Sequence, residues 1–389
     1  MNEAKRLPLG RAIIFFIMAS FLLVACGTRT ANTSWPGMSA DSQGVIYVAY
    51  GPGVAAVDPE TNEQLWFYPP GGGSPTVQFY AAPSVVDGQV VFGDYGASGG
   101  ILSPNVKVSV YSLDAADGAM KPNWPVSEIA QDRVIAPALQ VGDRIFVGTA
   151  DNFVFALDAT TAQPVWSEPF EAGHSIWGQP AYQEGILFVS SLDKSVYALD
   201  AESGAVLWRT DTGGSVSDKT VNNSELVYAG SFDNQVFALD MQSGDIRWTA
   251  LAEASVWGAP LFVEGNVFFA DLNGNVYAVD AQSGETIWQK AGAGYVIAQP
   301  VYADGNVYIA SAGDQNLAPN ERSGALIAFD AETGDELWRS STLAPLYTTP
   351  VVVDESIVVA QEDPQALLVY FDLESGAQTG TYAPPSTES

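Results

Sequence analysis

The stretch Ala198-Leu-Asp-Ala-Glu-Ser-Gly-Ala-Val-Leu-Trp208 returns as Ala238-Leu-Asp-Met-Gln-Ser-Gly-Asp-Ile-Arg-Trp248 and again as Ala278-Val-Asp-Ala-Gln-Ser-Gly-Glu-Thr-Ile-Trp288. Alanine, aspartate, glycine and tryptophan keep their places each time, at a spacing of 40 residues. Ala328 to Trp338, Ala156 to Trp166 and Ala56 to Trp66 repeat the pattern, and Ser112 to Trp124 is a looser copy with two extra residues. An eighth copy, Tyr370 to Gly380, keeps Asp372, Ser375 and Gly376 and lacks the tryptophan. Self-similarity at a fixed period marks one supersecondary unit copied along the chain.

The copied segment has a local logic. The aspartate and the Ser/Thr bond nearby backbone amides and close a turn. The glycine supplies a positive φ without a Cβ clash. Asn62 stands at that position in the first copy, and asparagine tolerates the left-handed region. Ala162 stands there in the third, which predicts a distorted turn. The tryptophan offers a large flat face to a neighbouring unit.

Working outward, each unit shows the same strand grammar. A strand begins near Pro83, Pro137, Pro180, Pro260, Pro300 or Pro350, with Ser39 and Thr220 in the odd units. A turn such as Glu184-Gly185 follows, then an apolar run such as Ile186 to Val189, then a third strand such as Ser195 to Leu199. The fourth strand is expected to end at the tryptophan. Four short strands per roughly 40 residues is the pattern of a propeller blade. No segment carries a long helical period, so helix is excluded as the main element.

The motif Ala-x-Asp-x-x-(Ser/Thr)-Gly-x-x-x-Trp resembles the tryptophan-docking motif of quinoprotein-type, PQQ-like β-propeller repeats. The resemblance covers most of residues 34–384. It implies an all-β, eight-bladed β-propeller of four-stranded antiparallel blades. In it Trp66, Trp124, Trp166, Trp208, Trp248, Trp288 and Trp338 dock successive blades.

The N-terminus reads differently. Lys5, Arg6 and Arg11 precede an unbroken apolar run from Ala12 to Ala25, then Cys26 and Gly27. A basic head, a short apolar middle and a small-residue exit make a secretory signal, and the run is short for a bilayer span. Leu23-Val-Ala-Cys26 resembles the lipobox of bacterial lipoproteins, which implies cleavage before Cys26 and lipidation of its thiol. The expected organisation is a signal peptide at 1–25, lipidated cysteine and tether at 26–33, propeller at 34–384 and a tail at 385–389. The seven tether residues from Gly27 to Thr33 reach at most about 25 Å, so the propeller sits close to the lipid surface. Gly27 is not aspartate, so the simplest inner-membrane retention signal of Gram-negative lipoproteins is missing. That leaves the outer membrane, on its periplasmic side, or the outer face of the cytoplasmic membrane.

Charge and cysteine content bound the partners. The 389-residue chain has 45 acidic and 15 basic residues and a formal charge of −30; without residues 1–25 it would be −32. Such a surface repels nucleic acid and anionic headgroups. Cys26 is the only cysteine, so lipidation leaves no intramolecular disulfide.

In the propeller family the first strand of each blade lines the central channel. Residues just before the prolines then sit at its mouth. Three positions before, the column reads Tyr80, Val134, Trp177, Ser217, Trp257, Ile297 and Tyr347; one position before it includes Gln179, Lys219 and Gln299. Arg133 and Asp218 add charge at the same rim. Aromatic rings with a few polar groups can take a ligand or a partner's extended segment. The competing reading has small residues packing a tight hub and the aromatics plugging it. Long insertions, Gly96 to Val106 and Ala312 to Gly324, are expected on the same face.

The quinoprotein resemblance also suggests a dehydrogenase using PQQ and Ca²⁺. Those enzymes carry a catalytic aspartate, a carboxylate–amide Ca²⁺ site and usually an adjacent cysteine pair. One cysteine rules out the pair, and no carboxylate–amide cluster shows in the hub columns. Asp218 is a poor candidate base because Lys219 beside it can pair with it. His174 is the only histidine, which removes His-rich metal sites. The expectation is therefore no enzyme, no cofactor and no metal. A tethered eight-bladed propeller without enzyme chemistry resembles the BamB-like lipoproteins of the outer-membrane barrel assembly machinery. This implies a scaffold, monomeric on its own, with an envelope protein or extended peptide as partner. Binding of PQQ, a sugar or a peptide at the hub remains the alternative. In a single-membrane source the barrel-assembly role fails and a cell-surface binding module remains.

Overall fold

The computed structural model describes residues 35–74, 76–96, 107–363 and 365–385. The signal, Cys26, the tether and most of the 96–106 insertion lie outside these residues. Eight four-stranded antiparallel sheets follow one another along the chain, at 37–68, 84–130, 139–171, 181–211, 221–251, 261–290, 301–342 and 351–382. We number them blades 1 to 8. Within each blade the strands pair in chain order. The first strands of blades 1 and 8 touch each other, as do those of most successive blades, so the ring is closed with the first strands innermost. Among the described residues the one short 3₁₀ turn, Pro319–Glu321, lies in the 312–324 insertion of blade 7. Among the described residues no helix is long and apolar enough to cross a membrane.

The core is divided among the seams. Strand alternation gives every blade two faces, and each face packs on a different neighbour. Phe188, Val196, Trp208, Val227, Phe237 and Leu239 fill the seam between blades 4 and 5. Tyr228, Trp248, Val267, Phe269 and Tyr277 fill the next. Burying such a side chain contributes about 1.5–3 kcal/mol, and an apolar cluster fills every seam, eight in all.

The repeated turn is built as its residues dictate. In blade 4, Gly204 N–H donates to Asp200 O at 2.8 Å, and Ser203 N–H and Oγ donate to Asp200 Oδ1 at 2.8 and 2.7 Å. Gly204 has φ +74°, and a Cβ on it would lie 2.8 Å from the Trp166 ring. The glycine is thus both a left-handed hinge and the floor on which the preceding blade's indole lies. All seven tryptophans of the motif donate Nε1–H to the carbonyl after the next blade's turn aspartate: Trp66 to Ala115, Trp124 to Ala159, Trp166 to Ala201, Trp208 to Met241, Trp248 to Ala281, Trp288 to Ala331 and Trp338 to Leu373.

Two expectations need correction. The Ala162 turn is regular: its φ is +61°, its N–H donates to Asp158 O at 2.9 Å, and Thr161 N–H donates to Asp158 Oδ1 at 2.6 Å. The departure comes after it, where the fourth strand shrinks to Phe170–Glu171 and only a bridge at Pro164 continues the ladder. Proline has no N–H to give that ladder. In blades 1, 4, 5, 6 and 7 the fourth strand runs past the tryptophan, as in Val206–Asp211, and the indole lies within it rather than at its end; in blade 2 the strand Val126–Ala130 starts after Trp124.

The eighth blade explains its missing tryptophan. In blades 1, 4, 5, 6 and 7 the motif alanine pairs directly with the tryptophan, as Ala198 with Trp208. In blade 8 the pair is Tyr370 with Gly380. Large and small side chains have changed strands. Tyr370 is buried in the seam with blade 1. A Cβ on Gly380 would meet Asn62 at 3.2 Å, the residue that replaces glycine in the blade 1 turn (φ +57°). Tyr382 Oη donates to Gln64 Oε1 at 2.9 Å across the same seam.

The turn carboxylates predict an acid limit. Asp114, Asp158, Asp200, Asp240, Asp280, Asp330 and Asp372 are all held below the usual carboxylate range, Asp240 down to about 2 by hydrogen bonding to Arg247. A depressed folded-state pKa stabilises above the unfolded value, and that stability is lost as pH falls through the folded value. The melting temperature should hold down to about pH 4 and then fall toward about pH 2. Asp240→Asn should flatten part of the fall; an unchanged profile would remove Asp240 from the account.

Candidate functional site at the mouth of the ring

The segments between blades carry the mouth residues, and each is clamped between two neighbouring turns. Ser175 Oγ donates to Ala150 O in the blade 3 turn, while Leu192 N–H in the blade 4 turn donates to Ser175 O. Ser215 repeats this with Leu192 O and Phe232 N–H, and Ser255 with Phe232 O and Leu272 N–H. The next residue, Ile176, Val216 or Val256, is buried against the sheet. The residue after it, Trp177, Ser217 or Trp257, stands at the mouth. These serines were not among the sequence candidates. The available signal is a serine five residues before Pro180, Thr220 and Pro260.

The clamp also corrects the column. Val134 is wholly buried, donates to Asp94 O as Ile176 does to Thr149 O, and fills the space beside Gly93 as Ile176 does beside Gly148. Level with Trp177 in the blade 3 approach is therefore Ile135. The cause is one extra residue: the strand starts two positions after Pro137, at Leu139, instead of one. Arg133 accordingly sits in the serine row. It pairs with Asp132 at 3.3 Å and lies over the Tyr95 ring at 5.9 Å.

The other candidates fall into two groups. Trp177 and Trp257 are half-buried, with ring centroids 6.2 Å apart, and Phe232 lies 5.1 Å from Trp257. Tyr80 packs edge-on against Tyr95 at 5.1 Å, and Tyr347 against Trp35 at 5.0 Å. Gln179 and Gln299 instead staple adjacent blades, donating Nε2–H to Ala138 O and Pro260 O, both at 2.8 Å. Asp218 does not pair with the Lys219 ammonium. It accepts the backbone N–H of Lys219 at 2.7 Å and of Ala259 at 2.9 Å. Lys219 is in no ion pair among the described residues. His174 is exposed, its Nδ1 accepting Ser175 N–H at 2.8 Å.

The mouth gives a quinone with its Ca²⁺ little support. Asp218 already accepts one backbone N–H on each oxygen, and Trp177 and Trp257 pair with each other, centroids 6.2 Å apart, rather than across a planar ring. Among the described residues no three His, Cys, Asp or Glu side chains converge as a metal cluster.

A second concavity, absent from the sequence reading, lies over the seam of blades 1 and 8. It is a cleft of about 920 Å³ walled by Tyr50, Phe67, Tyr80, Leu367, Glu362 and Asp363, with Pro36 and Pro384 at its edges. Glu362 is exposed, yet the cleft walls desolvate its carboxyl and raise its pKa. Burial pushes the Tyr50 hydroxyl up to about 12.

Ring, indole wedges and clamped aromatic mouth define a class: an eight-bladed PQQ-like propeller. The outer membrane protein assembly factor BamB family matches residues 27–175, 170–291, 251–325 and 273–381, and the chain belongs to that family. Among solved structures, BamB from Moraxella catarrhalis is similar with a TM-score of 0.67 at 20% identity, over 86% of this chain and 94% of that one. The computationally designed Ika8 protein gives 0.70 at 16%, over 87% and 96%. Quinohemoprotein alcohol dehydrogenase from Comamonas testosteroni gives 0.60 at 16%, over 79% and 68%. At these identities the likeness is one of fold. Comparison with curated proteins gave no match.

Proposed function

We propose that this protein is a non-catalytic scaffold, held at the cell envelope by a lipid on Cys26, that engages an extended segment of an envelope protein during outer-membrane protein assembly. Family membership supports the setting. The observation that carries the reading is the mouth itself: half-buried aromatic rings on clamped backbone, an arrangement suited to apolar anchors of a partner. The rim offers less. The residues preceding the tryptophans, such as Leu65, Leu207 (with Val206 beside it) and Leu337, are about half exposed but are spread over separate blades.

The test is capture of partners from solubilised membranes. Trp177→Ala with Trp257→Ala should remove most of the captured protein, by about tenfold or more, as expected for central aromatic anchors. Leu207→Ser on the rim should leave it unchanged. The reverse result would move the interface off the mouth. One observation favours small-ligand binding as a second reading: Trp177 Nε1–H is buried with no acceptor among the described residues.

A further inference from the structure

We infer that the cleft over the seam of blades 1 and 8 is a second binding site, for a partner segment presenting an arginine or lysine beside an apolar side chain. This goes beyond the scaffold reading and shares only Tyr80 with the mouth residues.

Three features of the walls select that chemistry. Tyr50 and Phe67 stand together, ring centroids 5.9 Å apart, and Tyr80 and Leu367 extend the apolar wall. Aromatic faces attract cations as well as apolar groups. Glu362 and Asp363 bring two carboxylates to the same cleft, and neither is in an ion pair among the described residues. Among the described residues no lysine or arginine is in the lining. A carboxylate pair beside tyrosine and phenylalanine complements a guanidinium or ammonium on an apolar stem, and repels acidic segments. At about 920 Å³ the cleft has room for a few residues of chain rather than a bare ion. The chain's large negative charge steers such a cation inward.

Calorimetry with the full chain tests this. Acetyl-Phe-Arg-Leu-amide should bind, and acetyl-Phe-Gln-Leu-amide should bind at least about tenfold more weakly. Glu362→Gln combined with Asp363→Asn should weaken the arginine peptide by about the same factor at an unchanged melting temperature. On the unaltered chain, raising salt from about 0.05 M to about 0.5 M should weaken it as well. Equal binding of both peptides, no binding, or an unchanged affinity in the double variant would overturn the assignment. Spermidine binding as tightly as the arginine peptide would also overturn it, since the site would then read charge without the apolar neighbour. Trp177→Ala should not alter peptide affinity, which keeps this result separate from that of the mouth.

Discussion

Trp208→Ala is expected to remove about 3–5 kcal/mol of stability, the range for deleting a buried indole. Trp208 is 8% exposed and lies among Phe188, Phe237 and Leu239. It stands opposite Ala198 on its own blade and over Gly244 on the next, and its Nε1–H donates to Met241 O at 3.0 Å. The truncation leaves a void on three sides and an unpaired carbonyl. Neither blade can close over it, because each is held by its other seam. Trp208→Phe keeps most of the apolar surface and loses the donor, so it should cost about 1 kcal/mol or somewhat more. Urea denaturation followed by far-ultraviolet circular dichroism measures both. A loss below about 1 kcal/mol for the alanine variant would show that the indole does not hold the blades together.

Asp271→Ala should cost at least about 3 kcal/mol, because several buried donors lose their acceptor at once. The carboxylate is wholly buried and accepts five hydrogen bonds: Asn273 N–H, Asn275 N–H, Asn275 Nδ2–H, Tyr277 Oη–H and Ala254 N–H, at 2.9–3.1 Å. The last ties the blade 6 turn to the segment that leads to Trp257. The tyrosine hydroxyl in turn accepts Glu253 N–H at 2.9 Å. Loss of the carboxylate should therefore loosen residues 253–257 before the sheet itself. Hydrogen exchange should rise there first, and partner capture should fall. Asp271→Asn keeps one acceptor oxygen and should fall between the two. Uniform protection in the alanine variant would disconnect Asp271 from the mouth.

The propeller was readable because its chief devices are local. Aspartate, glycine and tryptophan recur within eleven residues, and each has a reason that a single unit supplies. What escaped depends on partners distant in sequence. The change of strands between Tyr370 and Gly380 makes sense only against Asn62, and Asn62 looked like a tolerated glycine substitute. The serine clamps link four successive blades, 3 to 6, and their only local signal is a serine five residues before Pro180, Thr220 and Pro260. The shift at Pro137 is one residue, enough to place Val134 in the wrong row and hide Ile135. The cleft could not be foreseen, because Tyr50 and Phe67 meet Leu367 only when the ring closes.

Each sheet is made from one uninterrupted run of chain, and the last borrows no strand from the first. Covalent continuity between the final and opening sheets is thus dispensable. Moving the chain ends to any of the seven linkers, with a short peptide joining residues 385 and 35, would leave every sheet whole. By the same reasoning, copying one unit in register inserts a finished part, and the burden of accommodating it falls on the angle between neighbours.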